Sequence, residues 1–91
     1  MRIKINYNNY LIRKITKKGS EILFFGNIGS VISVINCLIK DYGIEMEKII
    51  FDAEKRKLKI MFLVNGISVN DLNYKLSDND DVSIFSFVTG G

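Results

Sequence analysis

The chain has 91 residues, of which 47% are apolar and 25% charged, with a net charge of +3, one cysteine and no histidine. That length supports one core, so residues 1–91 are expected to form a single domain. The composition excludes an internal disulfide, a histidine-based catalytic set and a metal site of paired His and Cys ligands, and the mild charge does not require nucleic acid. The apolar runs are short and interrupted, so no transmembrane helix is expected. Met1-Arg2-Ile3-Lys4 lacks the apolar stretch of a signal peptide. A cytoplasmic protein that does not engage a membrane is therefore expected. The lone Cys37, on an apolar helical face, reads as a small buried hydrophobe in a reducing compartment.

Ile3, Ile5 and Tyr7 alternate with Arg2, Lys4 and Asn6, the period of a half-buried strand. Asn8-Asn9 reads as a turn and Tyr10 to Ile15 as a return strand. Lys17-Lys18-Gly19 is a second break, and Glu21 to Phe25 is a short β-prone run. All charges in residues 1–20 are basic: Arg2, Lys4, Arg13, Lys14, Lys17 and Lys18. Their interleaving with Ile3, Ile5, Tyr7 and Ile12 fits a solvated hairpin face better than an RNA footprint.

Gly26-Asn27-Ile28-Gly29-Ser30 leads into a helix but lacks the lysine of a phosphate loop and the dinucleotide fingerprint. Ser30 is a suitable N-cap. Val31, Ile35, Leu38 and Tyr42 then recur at helical spacing, with Ser33, Asn36 and Lys40 opposite. Gly43 stops that helix. Its β-branched residues give it weak intrinsic propensity, so it should depend on packing against a sheet, and a strand here is the competing reading.

Ile49 to Asp52 reads as a short strand and Ala53 to Lys57 as a charged turn. Leu58, Ile60, Phe62 and Val64 alternate with Lys59, Met61 and Leu63 in a strand apolar on both faces in its second half, a mark of the sheet interior. Asn65-Gly66 is a tight-turn signal, and Ile67-Ser68-Val69 can pair back. Asp71 to Leu76 reads as irregular. Asp78-Asn79-Asp80-Asp81 reads as a solvated polar turn, without the spacing of a calcium loop. Val82 to Val88 is the last strand. Val82 and Ile84 are expected to face the core, leaving Phe85 and Phe87 exposed as a partner surface. The sequence closes on Val88-Thr89-Gly90-Gly91. Two glycines make a thin arm whose carboxylate can enter a narrow channel where side chains would clash.

This pattern resembles the MoaD/ThiS family of ubiquitin-like sulfur carriers. The resemblance lies in Phe62 to Val69 with Val64-Asn65-Gly66, Leu76, the acidic turn at 78–81, Phe85 and the terminal Val88-Thr89-Gly90-Gly91. It covers about residues 60–91 closely, and the rest only in element order. It implies an α+β fold of the β-grasp (ubiquitin-like) type, with one main helix on one face of a mixed sheet and a flexible tail at 88–91. It also implies a carrier or co-substrate rather than an enzyme, with no cofactor of its own. A MoeB- or ThiF-like adenylating enzyme would use ATP and Mg²⁺ to activate the Gly91 carboxylate, and sulfur would then make it a thiocarboxylate. Gly91 and Gly90 would be the reacting end, and Phe85, Phe87, Val88 and Thr89 the partner-binding residues. In the MoaD branch, which the extra segment at 45–58 favours, a large MoaE-like subunit would take the sulfur for molybdopterin. Conjugation of Gly91 to protein lysines, or sulfur supply to thiamine or tRNA thiolation, are the alternatives.

Overall fold

The computed structural model describes residues 1–26, 29–54 and 57–86. Strand β1 (Arg2–Asn8) buries Ile3, Ile5 and Tyr7 and exposes Arg2, Lys4 and Asn8, as the alternation requires. The chain does not turn straight back. It forms a short helix, α1 (Tyr10–Thr16), where the sequence suggested a return strand. One reason is local and another is burial. Asn9 sits at the N-cap and its Oδ1 accepts from the Ile12 N–H at 3.1 Å. Ile12 and Thr16, four apart, supply the buried stripe. Lys17 ends the helix in the left-handed region, φ 59°. The true return strand is β2 (Ser20–Phe24), antiparallel to β1 with Ile3 opposite Leu23.

A two-residue strand, β3 (Gly29–Ser30), leads into α2 (Val31–Tyr42). Val31, Val34, Ile35 and Leu38 are buried, so the helical reading of this segment holds. Gly43 ends α2 at φ 82°, ψ −158°, a conformation open essentially only to glycine, and the chain re-enters a helix at once. That helix, α3 (Ile44–Ile50), corrects the expected strand at Ile49–Asp52. Met46 and Ile50 are one turn apart and both buried, so helical burial wins over β-propensity. Only a single bridge, Phe51 to Leu58, remains of strand character there. The described residues thus hold three helices, with α2 the longest.

Strand β4 (Ile60–Val64) pairs with β5 (Ile67–Val69) through the Asn65-Gly66 turn, whose φ values of 52° and 86° are those of a type I′ hairpin. After β6 (Lys75–Leu76), which pairs with β3, comes β7 (Asp81–Ser86). The main sheet has five strands in the order β2-β1-β7-β4-β5. β7 is central, parallel to β1 and antiparallel to β4. The core is one cluster between the sheet and the helices, with Tyr7, Phe62, Ile35, Leu38, Met46 and Ile84 fully buried. This is the α+β, β-grasp architecture that the pattern implied.

Candidate functional site at the end of the central strand

Strand β7 is the element that carries the chain toward its terminal glycines. Gly91, Gly90, Phe87, Val88 and Thr89 lie outside the described residues. Their launching point does not. Val82 and Ile84 are buried on the core face, as expected. Phe85 lies on the opposite face, but it is half-buried rather than exposed. Its register explains why: Asn8 of β1 stands on one side and Met61 of β4 on the other. One row further on, Ser83 lies beside Leu63. Phe85, Met61 and Leu63 therefore form an apolar strip on the face of the sheet away from the helices. The sequence carried a signal for Met61 and Leu63, the two-faced apolar pattern of their strand, but it was spent on placing that strand in the interior.

The start of β7 is held tightly. The Asn65 side chain donates to Asp80 Oδ1 at 2.8 Å and accepts from the Asp81 N–H at 3.0 Å. The Asn65 N–H donates to the Asp81 carbonyl at 2.8 Å. Asp80 Oδ2 accepts from the Ser77 N–H, and Asp78 Oδ1 from the Arg2 N–H. The acidic turn, expected to be merely solvated, is thus a set of acceptors for backbone donors. The Val64-Asn65-Gly66 turn and the acidic turn are parts of one hydrogen-bonded clamp. It fixes one end of β7 and so defines where the other end leaves the sheet.

At that exit the chain of β1 continues from Asn8 into α1. Tyr10 is 73% exposed and Leu11 48% exposed, and they follow Asn8, the residue opposite Phe85, in the chain. Lys14 Nζ lies 5.5 Å from the centre of the Tyr10 ring. Sequence reasoning missed these two residues because it placed them on a strand. The other flank is the start of β4, where Ile60 is opposite Ser86. Beside it an open groove of about 440 Å³ runs between α3 and Lys59, with Phe51 and Ala53 in its walls.

A second polar group lies on the core side. Glu21 accepts from the hydroxyls of Tyr7 and Tyr42, the latter at 2.6 Å, and pairs with Lys18 at 3.4 Å. Burial pushes the Glu21 pKa up, but the hydrogen bonds from Tyr42, Tyr7 and Lys18 outweigh it and hold the carboxyl below its usual range. Burial and the neighbouring carboxylate raise both tyrosines. This trio ties β1, β2 and α2 together on the core face of the sheet. Cys37 is half-buried, and burial together with Asp41 pushes its thiol up, against nucleophilic use.

The Gly26–Ser30 loop offers no anion site through its described residues. The first N–H groups of α2 are taken: Val31 donates to the Tyr74 carbonyl at 3.0 Å and Ile32 to the Leu72 carbonyl at 2.9 Å. Asn27 and Ile28 lie outside the described residues, as do Lys55 and Arg56 of the expected charged turn. Among the described residues, no group of three or more His, Cys, Asp or Glu is placed to hold a metal ion, and no helix is long and apolar enough to cross a membrane.

Comparison with known proteins places this arrangement. The sequence model of the ThiS family matches residues 5–91. No curated protein matches the chain. Among solved structures, SAMP1 from Haloferax volcanii superposes with a TM-score of 0.81 at 17% identity, covering 100% of each chain. A protein described as molybdopterin converting factor subunit 1, from Pyrococcus furiosus, gives a TM-score of 0.72 at 21% identity over 97% of this chain and 99% of its own. A chain of the BexX/CysO complex of Amycolatopsis orientalis gives 0.74 at 20% identity, over 98% and 99%. At these identities the structural likeness speaks to the fold, and the family match speaks to kinship. The chain belongs to the ThiS family, whose members are small ubiquitin-like sulfur carriers and not catalysts.

Proposed function

We propose that the protein carries sulfur on the carboxyl group of Gly91 and delivers it in molybdopterin synthesis. The observation that carries this reading is the family match through residue 91, joined to a clamped central strand that leads to a terminal Gly-Gly. A carboxylate is a poor acyl donor. Attack of the Gly91 carboxylate on the α-phosphorus of ATP, with Mg²⁺ and a MoeB- or ThiF-like enzyme, expels pyrophosphate and leaves an acyl adenylate. A sulfide equivalent then adds to the carbonyl carbon, AMP departs with the bridging oxygen, and a thiocarboxylate remains. The chain itself supplies no acid or base to these steps. It supplies a slim arm, and beside it Phe85, Met61, Leu63, Tyr10 and Leu11 as the surface for the adenylating enzyme and for a large MoaE-like subunit. Residues 45–58, of which 45–50 form most of α3, are the segment that favours the molybdopterin branch.

The test is the intact mass of the protein after incubation with ATP, Mg²⁺, the adenylating enzyme and a sulfur donor. Exchange of one oxygen for sulfur is expected, and its loss in Gly91→Ala. No mass change and no adenylate would overturn the reading. The second reading, a protein modifier, draws on the likeness to proteins named as small archaeal modifiers. It requires covalent conjugates that accumulate with the intact tail and disappear in Gly91→Ala. Transfer of sulfur to a pterin precursor without such conjugates decides for the carrier.

A further inference from the structure

Strand β2 is an edge of the sheet, and its pairing with β1 shows which of its backbone groups are spare. Met1 and Phe25 exchange hydrogen bonds, with Phe25 N–H to Met1 O at 2.8 Å and the Met1 amino group to Phe25 O at 2.6 Å. Tyr7 N–H donates to Gly19 O at 2.8 Å. In an antiparallel pair the bonded positions alternate, so Leu23 and Glu21 also turn their backbone groups toward β1. Ser20, Ile22 and Phe24 therefore turn their N–H and C=O groups outward. Among the described residues nothing pairs with them, and the sheet order ends at β2. The strand has no proline, no lysine within it and no bulge in its register. Its one acid, Glu21, is an inward-turned charge taken up by Tyr7, Tyr42 and Lys18, and Lys18 remains half-exposed beside it. Phe24, 75% exposed, and Ile22 share the outer face of this edge. Lys17 and Lys18 stand at one end of the strand and Arg2, opposite Phe24, at the other.

We infer that β2 is a docking edge for an extended peptide segment of a partner protein, which adds as a further strand. Its backbone pairs with Ser20, Ile22 and Phe24. Two apolar side chains two residues apart lie against Ile22 and Phe24, and a flanking run of carboxylates meets Lys17 and Lys18. Main-chain pairing supplies affinity, and the alternate apolar contacts and the basic flank supply selectivity. The apolar end of this edge is distant from the tail surface: β2 is two strand spacings from β7, roughly 10 Å, and Phe24 stands at the far end of β1 from Asn8, about 20 Å along the strand. Its basic end is nearer, since Gly19 stands opposite Tyr7, which pairs with Ile84 of β7. The inference does not depend on what becomes of Gly91.

The experiment uses the full chain, isotopically labelled, titrated with a synthetic peptide of alternating valines preceded by aspartates. Two controls accompany it, the same peptide with lysines for the aspartates and one with proline at its central paired position. Chemical-shift changes centred on Ser20, Ile22 and Phe24, with slowed hydrogen exchange of the Ile22 and Phe24 amides, are expected for the acidic peptide. Each control should bind at least about tenfold more weakly, and raising the salt should weaken the acidic peptide. Lys17→Glu with Lys18→Glu should reverse the charge preference. Ile22→Pro, which removes an outward N–H and no bond to β1, should abolish binding while the shifts of β4 and β7 stay native. If Ile22→Pro disturbs the fold, Phe24→Glu in its place should lower affinity by the same order. No shift changes up to about 1 mM peptide, changes centred on Phe85 and Met61, or pairing of β2 with a second copy of the chain would each overturn the inference.

Discussion

Three residues show how single side chains set the local structure. Asn9 is buried, and its oxygen caps α1. Asn9→Ala removes that acceptor and should cost about 1 kcal/mol, read as a lower urea midpoint with an unchanged slope. Gly43 holds φ 82° and ψ −158°, with nothing within 4 Å of where a Cβ would sit. Gly43→Ala thus meets backbone strain and no clash, and should cost about 1–3 kcal/mol by the same measurement. Glu21 links the stability of the fold to pH. Its pKa is lower folded than unfolded, so the stability it contributes is fully present above the ordinary glutamate range. It is lost as pH falls through the depressed folded value. Urea midpoints measured across that acid range should show a slope that Glu21→Gln reduces, together with lower stability of that variant near neutral pH.

At the scale of elements, the sheet is stabilised chiefly by what α2 and α3 bury against it. Phe62 faces the core from β4 and is fully buried. Phe62→Ala leaves a cavity there and should cost about 3–5 kcal/mol, enough to unfold a domain this small in part at physiological temperature. The joint between the Asn65 turn and the acidic turn is also an element-scale device. Asn65 at φ 52° and Gly66 at φ 86° turn the chain, and the Asn65 side chain then binds the first residue of β7. That links two sequence motifs fifteen to sixteen residues apart, Asn65 with Asp80 and Asp81. Their joint presence in the chain has a mechanical reason, which is to hold the start of the strand whose far end bears the tail.

For the whole molecule, the arrangement divides labour between a rigid body and its end. The helices cover one face of the sheet, and the other face is left to carry Phe85, Met61 and Leu63 beside the exit of the chain. Met61→Glu places a charge in that apolar strip without entering the core. It should weaken binding of the adenylating enzyme about tenfold or more, some 1.4 kcal/mol, with the thermal midpoint changed little. Titration calorimetry with the wild-type chain as reference measures this. An equal loss on substituting Ile67, exposed on the far edge strand, would argue against a localised surface.

The sequence by itself determined the parts whose signal is local. Alternation placed β1, β4 and β7, and period and capping placed α2. Asn65-Gly66 placed the hairpin. These follow because side-chain period and turn chemistry act over a few neighbouring residues. The tertiary structure decided the rest. Residues 10–16 and 44–50 are apolar enough for either helix or strand. They became helices because Ile12, Thr16, Met46 and Ile50 find burial one turn apart where α1 packs against α3, and α3 against α2. Phe85 is half-buried only because register sets Met61 and Asn8 beside it. The spare backbone groups of Ser20, Ile22 and Phe24 follow from the phase of one ladder. Each of these is a relation between residues far apart in the chain, and no window along the sequence contains both partners.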